Sequence, residues 1–306
     1  MPRIRFDDAF DEGADDIPVT RSRPPRPRRG RDDHLAPPRP PIAESFADDR
    51  FPAGTTASTY PEATHGPRPV PDWVITSGNA YDIDRGTIKT GKEADVDLVE
   101  RVDLLSGRPS LLAAKRYRAA EHRLFHRDAG YLEGRRVRRS RETRAMANRT
   151  RLGRELIAHQ WAATEFETLG RMWSAGVPVP YPVQLDGTEL LLEFIGDGGA
   201  AAPRLAEVSV DAGELRALWA LCVDAMCAMG AAGYTHGDLS AYNVLVDGGR
   251  VVLIDLPQVV DIVVNPQGVE YLARDCRNIC RWFASRGLPD ADQEELMTLV
   301  MDSRLP

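Results

Sequence analysis

With 306 residues, 42% of them hydrophobic, the chain can build one large domain or two modest ones around a substantial core. A net charge of −7 excludes bulk attraction to nucleic acid, although two local stretches are strongly basic. No run approaches the ~20 apolar residues of a membrane span, and the start MPRIRFDDAFDEGADD is acidic where a signal peptide is apolar, so a cytoplasmic protein is expected.

Thirteen of the 23 prolines precede residue 71, and residues 1–70 are expected to be a disordered tail that cannot bury enough apolar surface to offset its ordering entropy. Within it, six arginines between Arg21 and Arg31 would suit contact with RNA or an acidic partner, or serve solubility alone. The pattern changes at residue 71. ITSGNAYDIDRGTI, ADVDLVERVDLL and LLAAKRYR predict three antiparallel strands joined by tight turns. Between the first two lies GTIKTGKEADV, whose Gly86 to Lys92 spacing matches a Walker loop. Glu93 follows the lysine where that motif needs Ser or Thr, and the next segment alternates like a strand rather than opening a helix. A glycine loop between antiparallel strands remains able to cover nucleotide phosphates.

Residues 131–155 hold nine arginines between Arg135 and Arg154 and are expected to form an exposed helix or mobile insert. An amphipathic helix follows over 155–176, with Leu156, Trp161, Phe166, Leu169 and Trp173 on its apolar face and Gly176 as its stop. Two more strands flank the Asp186-Gly187 turn, and a connector runs near Glu193–Asp197. A helix over 211–230 presents Leu215, Leu218, Cys222, Met226 and Met229, with Asp211 and Glu214 at capping-box spacing. Helices near 268–286 and 290–302 close the chain. The expected architecture is α+β and two-lobed: tail 1–70, a strand-rich lobe 71–195 that includes the insert 131–155, and a helical lobe 196–306. Cys222, Cys227, Cys276 and Cys280 have no metal-ligand spacing and read as free buried thiols.

The chemistry concentrates in HGDLSAYNVLV (236–246) and VVLIDLPQ (251–258). If 244–246 and 251–254 pair across the turn 247–250, Asn243 and Asp255 emerge together at the open end. Two oxygen ligands there suit Mg²⁺ on a nucleotide, and manganese would fit the same pair. Asp238 would project into that space to orient or deprotonate an acceptor hydroxyl. Singly these are ordinary turn residues; together they point to phosphoryl transfer. Lys115, on an apolar strand, needs a partner for its charge, and Glu165 or Glu167 of the amphipathic helix could supply it. His236 is expected to brace its loop rather than act as a base.

These motifs resemble the RIO family of atypical serine/threonine protein kinases. TGKEADV (90–96) is similar to the family's phosphate loop, HGDLSAYN (236–243) to its catalytic loop and IDLPQ (254–258) to its metal loop. WAATEF (161–166), AGVPVPYP (175–182), LLLEFIGD (190–197) and YLARDC (271–276) match in the same order. The resemblance implies a protein-kinase-like fold using ATP and Mg²⁺, with Thr90, Gly91 and Lys92 at the phosphates and Lys115 and Glu165 as the ATP-positioning pair. It places the backbones of Glu193 and Ile195 at adenine, Asp238 as the catalytic aspartate, and Asn243 and Asp255 as metal ligands. Autophosphorylation would fall on Ser140, Thr143 or Thr150. A second reading is an ATPase switch, with Asp255 as phospho-acceptor, acting on a ribosomal or RNA-containing assembly through 21–31 and 135–154. A small-molecule phosphotransferase would share the His-Gly-Asp…Asn loop but not TGKEADV or IDLPQ. The Ala-, Arg-, Asp- and Gly-rich composition suits a GC-rich bacterial genome. The protein substrate is not legible.

Overall fold

The computed structural model describes residues 50–118 and 151–304, all within one unit, Ser45–Pro306. Two two-residue strands come first, β1 (Thr56–Ala57) and β2 (Thr64–His65), on either side of a 3-10 turn at Tyr60–Glu62. The antiparallel meander of β3 (Ala80–Thr90), β4 (Ala94–Asp103) and β5 (Pro109–Tyr117) follows as expected. Helix α1 (Arg151–Ser174) precedes β6 (Pro182–Asp186) and β7 (Glu189–Glu193). Together the seven strands form one sheet in the order β1-β3-β4-β5-β7-β6-β2.

The tail expected over 1–70 is therefore too long: residues 50–70 are ordered and packed. Thr56 and Ala57 pair with Asp82 and Tyr81 at one edge of the sheet, and Thr64 and His65 pair with Leu185 and Gln184 at the other. Only residues 58–63 separate the two strands, so this strap spans the sheet from edge to edge. Tyr60 anchors it against Val74, Val99, Leu112, Tyr181, Val183 and Leu191. A buried polar cluster completes the closure. Arg101 has no exposed surface; its guanidinium donates to both Asp82 oxygens (2.7 and 2.8 Å) and to Gln184 Oε1 (2.8 Å). Gln184 Nε2 in turn donates to Thr59 Oγ1 at 2.8 Å. Strands of two residues among prolines give no periodicity, which is why this segment reads as tail. The expectations for 1–49 and for the arginine-rich stretch up to residue 150 lie outside the described residues.

Alternation along β5 divides the lobe. Leu112 and Ala114 face the strap cluster, while Ala113, Lys115 and Tyr117 face α1 and the second lobe. Helix α1 buries Ala158, Ala162, Phe166, Leu169 and Met172. That stripe lies a fraction of a turn from the expected one: Trp161 and Trp173 are only partly buried, and small alanines let the helix approach the sheet.

A two-strand ribbon, β8 (Gly196–Asp197) with β9 (Ala200–Ala201), opens the second lobe. Helix α2 (Ala212–Ala231) buries all five residues predicted for its face, and Asp211 with Glu214 forms the reciprocal capping box. After β10 (Tyr234–Thr235), the hairpin β11 (Val244–Asp247) and β12 (Arg250–Leu253) pairs in the expected register, Val244 opposite Leu253. β13 (Val260–Asp261) pairs with β10. Helices α3 (Gly268–Ser285) and α4 (Gln293–Asp302) pack with α2 around Phe283, Cys276, Leu272 and Leu296. Cys222, Cys276 and Cys280 are buried free thiols and Cys227 is half-buried.

Candidate active site

A cleft of about 840 Å³ lies between the lobes. Its apolar walls come from Ile88, Val96 and Ala113 above and from Leu245 and Ile254 below, with Glu193, Phe194 and Ile195 along the connecting strip. Ile195 is buried with Ala202 and Val252, and its carbonyl accepts from Ala202 N–H at 3.0 Å. Gly196 follows at φ 153°, where a Cβ would stand 2.1 Å from the Ala200 carbonyl oxygen, so the chain can turn here only as glycine.

The end of the cleft at Lys115 is built from three elements that meet at one ammonium. Lys115 Nζ on β5 donates to Glu165 Oε1 on α1 (2.7 Å) and to Asp255 Oδ1, just beyond β12 (2.9 Å). Glu167 points outward and is exposed, so the open choice between the two glutamates falls to Glu165. Burial works against the lysine's charge, but the two carboxylates outweigh it and hold the ammonium above its ordinary pKa. Desolvation by the cleft walls likewise opposes ionisation of Asp255, although its side chain stays 53% accessible, yet Lys115 beside it holds this carboxyl below its ordinary value, with weaker help from His236 and Lys89. Asp255 is the non-glycine residue at positive φ (67°) among those described, a costly backbone state kept here by its surroundings. Overhead, β3 is bulged on either side of Gly86 and Thr87, and Gly91 N–H donates to the Ala94 carbonyl to close the roof loop. Lys89 on that roof has its pKa lowered, first by burial and next by Arg204 on the cleft floor.

The loop carrying Asp238 is fixed from beneath. Asp275 of α3, fully buried, accepts from Thr235 Oγ1 (2.7 Å), Gly237 N (2.7 Å) and Leu239 N (2.8 Å). The amide N–H of each residue flanking Asp238 is thereby held. Gly237 sits at φ 81°, and a Cβ there would come within 2.4 Å of the Gln258 carbonyl oxygen, so no other residue fits. Arg274 donates to the Gly237 carbonyl, and its guanidinium lies 4.0 Å from Asp238 Oδ1. His236 braces the loop as expected: its Nε2 lies 3.0 Å from the Ile254 carbonyl oxygen and so must carry the proton. Asn243 Nδ2 donates to the Asp238 carbonyl (3.0 Å) and the Asn243 carbonyl accepts from Ile254 N, locking the Asp238 loop to the hairpin.

Of the residues predicted for the site, Gly91, Lys92, Lys115, Glu165, Glu193, Ile195, Asn243 and Asp255 line the cleft. Thr90 and Asp238 do not; Asp238 stands beyond Asn243 with its side chain 48% exposed. Ser140 lies outside the described residues. Asp275, Lys89, Arg204 and Tyr117 were not singled out by sequence reasoning. Only the YLARDC match touched Asp275, and nothing local marks it as the anchor of a loop some forty residues earlier.

The phosphoryl transfer from ATP that the sequence motifs imply needs a divalent ion. Among the described residues no group of three or more His, Cys, Asp or Glu could hold one alone. Asn243 and Asp255 nevertheless offer two hard oxygens on one wall, a set that fits Mg²⁺ when phosphate and water supply the rest. Among the described residues, no helix is long and apolar enough to cross a membrane.

A curled antiparallel sheet with one helix, a connecting strip, a lysine–glutamate pair and a metal-competent Asn/Asp hairpin define a protein of the protein-kinase class. Residues 112–296 match the model of the RIO domain. The chain is 35% identical over 218 residues to the RIO-type serine/threonine-protein kinase Rio1 of Haloferax volcanii, covering 70% of this chain and 68% of that protein. It is 35% identical over 158 residues to human serine/threonine-protein kinase RIO3, and 30% identical over 237 residues to serine/threonine-protein kinase RIO1 of Caenorhabditis elegans. It spans only 29% and 42% of those two relatives. The chain belongs to the RIO family.

Proposed function

We propose that this chain is an ATP- and Mg²⁺-dependent serine/threonine protein kinase of RIO type that also phosphorylates itself. The observation that carries the reading is the convergence on Lys115 of Glu165 from α1 and Asp255 from the hairpin, at the deep end of an apolar slot sized for a nucleotide. Adenine would lie between Val96 and Ala113 above and Leu245 below, reached by the Glu193 and Ile195 backbones. Lys115 would hold the α- and β-phosphates, with Gly91 and Lys92 of the roof loop above them. Asn243 and Asp255 would hold Mg²⁺, which supplies charge neutralisation at the phosphates. Asp238 would orient the acceptor hydroxyl. As the hydroxyl oxygen bonds to the γ-phosphorus, the bond to the β-bridging oxygen breaks, ADP leaves, and the hydroxyl proton passes to the Asp238 carboxylate.

A second reading rests on the short span 256–267 between Asp255 and α3, which offers little platform for an extended peptide, and on the half-exposed Asp255 carboxylate. There Asp255 would take the γ-phosphoryl group as an acyl phosphate and water would release it, making the chain an ATPase switch; RNA or a ribosomal assembly is the partner this reading would invoke.

One experiment separates them. The chain is incubated with γ-labelled ATP and Mg²⁺ beside Asp238→Ala and Asp255→Ala, following free phosphate and bound label. Acid-stable label on Ser or Thr that disappears in Asp238→Ala is expected. Hydroxylamine-labile label with steady phosphate release would favour the switch, and undiminished transfer in Asp238→Ala would defeat the kinase assignment.

A further inference from the structure

Glu165 is almost wholly buried, and its carboxylate has two oxygens to satisfy. One accepts from Lys115. The other, Oε2, accepts from the phenol of Tyr117. Tyr117 sits two residues beyond Lys115 on the same face of β5, is itself buried, and lines the cleft. Lys115 Nζ lies 5.3 Å from the centre of its ring. Two side chains of one strand therefore grip the two oxygens of one helix carboxylate.

We infer that Tyr117 is a positioning residue for ATP binding: by occupying Glu165 Oε2 it restricts Lys115 to a single glutamate oxygen and keeps one ammonium proton available to the nucleotide. An ammonium carries three donors. Here one goes to Glu165 and one to Asp255, which leaves the third free to meet a phosphate. If Oε2 lost its partner, a carboxylate this deeply buried would turn both oxygens toward the nearest cation and draw Nζ back from the cleft. The phenol fits this task because it satisfies an oxygen without adding charge. Burial, followed by the neighbouring Glu165 carboxylate, pushes its pKa far above the ordinary tyrosine value, so the proton stays on Tyr117 and the bond keeps its direction. The same bond ties α1 to β5 a second time, so the lysine–glutamate pair is assembled without any contribution from the short span 256–267. Tyr117 acts through Glu165 and needs no contact with ATP.

This inference rests on the nucleotide-binding reading above, and its test separates the two. The dissociation constant for ATP with Mg²⁺ is measured by calorimetry on the full chain, on Tyr117→Phe, on Glu165→Gln and on the double variant. Melting curves recorded beside them ensure that every variant is compared while folded. Tyr117→Phe keeps the ring and removes only the donor, and is expected to weaken ATP binding by about tenfold, the scale of a hydrogen bond to a charged group. In the Glu165→Gln background the same change should alter affinity by less than about twofold, because the residue it acts through is already disabled. A purely structural role would lower the melting temperature while leaving affinity intact in the folded protein. Should Tyr117→Phe melt below the assay temperature, Tyr117→Met removes the same donor with a different packing compromise and must show the same loss. Tight ATP binding by the wild type with no loss in either donor-less variant overturns this inference alone, as does an undiminished loss in the Gln background. Failure of the wild type to bind ATP overturns the functional reading and this inference with it.

Discussion

Replacing Asp275 with Asn changes almost no volume and tests whether three hydrogen bonds hold the Asp238 loop. Asp275 Oδ2 accepts from Thr235 Oγ1 and Gly237 N, and Oδ1 accepts from Leu239 N, all at a fully buried side chain. The threonine hydroxyl can rotate to accept instead, but a backbone N–H cannot. Whichever way the new amide is turned, its NH₂ faces either Gly237 N–H or Leu239 N–H, and that donor loses its acceptor. One orphaned buried donor, together with the weakening of bonds that were made to a carboxylate, amounts to about 3 kcal/mol. In a domain of this size, that lowers the melting temperature by about 6–12 °C. The functional loss should exceed what instability explains, because the freed N–H belongs to a residue next to Asp238, and a misplacement on the order of 1 Å costs about 100-fold in turnover. Asp275 does not line the cleft, so ATP affinity should change by less than about threefold while turnover collapses. Calorimetric melting, ATP titration and initial-rate phosphotransfer give the three readings. A melting temperature within about 1 °C of wild type would refute the hydrogen-bond accounting. Loss of ATP affinity in proportion to turnover would refute the claim that the effect is local to the Asp238 loop.

Two further outcomes follow from burial. Arg101→Met removes a fully buried guanidinium from Asp82 and Gln184 and should cost about 3 kcal/mol in urea unfolding; a cost below about 1 kcal/mol would mean that the strap closes the sheet by apolar packing alone. Burial pushes the Cys222 thiol up from its ordinary 9.0 to about 12. Its stabilising share is therefore complete below pH 9.0 and is lost as the pH rises toward about 12, because the unfolded thiol ionises first. Cys222→Ala should reduce the alkaline fall of unfolding free energy by about 1.4 kcal/mol per pH unit in that window; an unchanged slope would place the titration elsewhere.

The parts of the site that could be read from sequence are those whose geometry is local. Asn243 and Asp255 are joined by a hairpin with a recognisable turn, so their proximity follows from strand pairing. Lys115 declared itself by being charged on an apolar strand. Its partner stays open between Glu165 and Glu167, because spacing along the helix alone does not separate them. The helix buries Ala158, Ala162 and Glu165 on one face and leaves Glu167 to solvent. Contacts closed by tertiary structure left no such mark. Arg101 sits among charged neighbours in β4 and looks like surface, and Tyr60 is one aromatic in a proline-rich stretch. Asp275 gains its meaning only when α3 is laid under a loop from the other side of the hairpin. Thr90 and Asp238 show the converse: a motif fixes their order in the chain but not whether their side chains line the cleft.

The strap has a consequence for how other chains could attach. An open sheet invites strand addition along unpaired backbone, and the start of β3, at Tyr81 and Asp82, is already paired by residues 56–57 while its later part is bulged around Gly86 and Thr87. At the far edge, β6 is paired by residues 64–65. Little flat edge is left on either side for a visiting β-strand. Recognition at this lobe must then work through side chains and loops, where specificity is written residue by residue, rather than through the sequence-blind hydrogen bonds of β-augmentation.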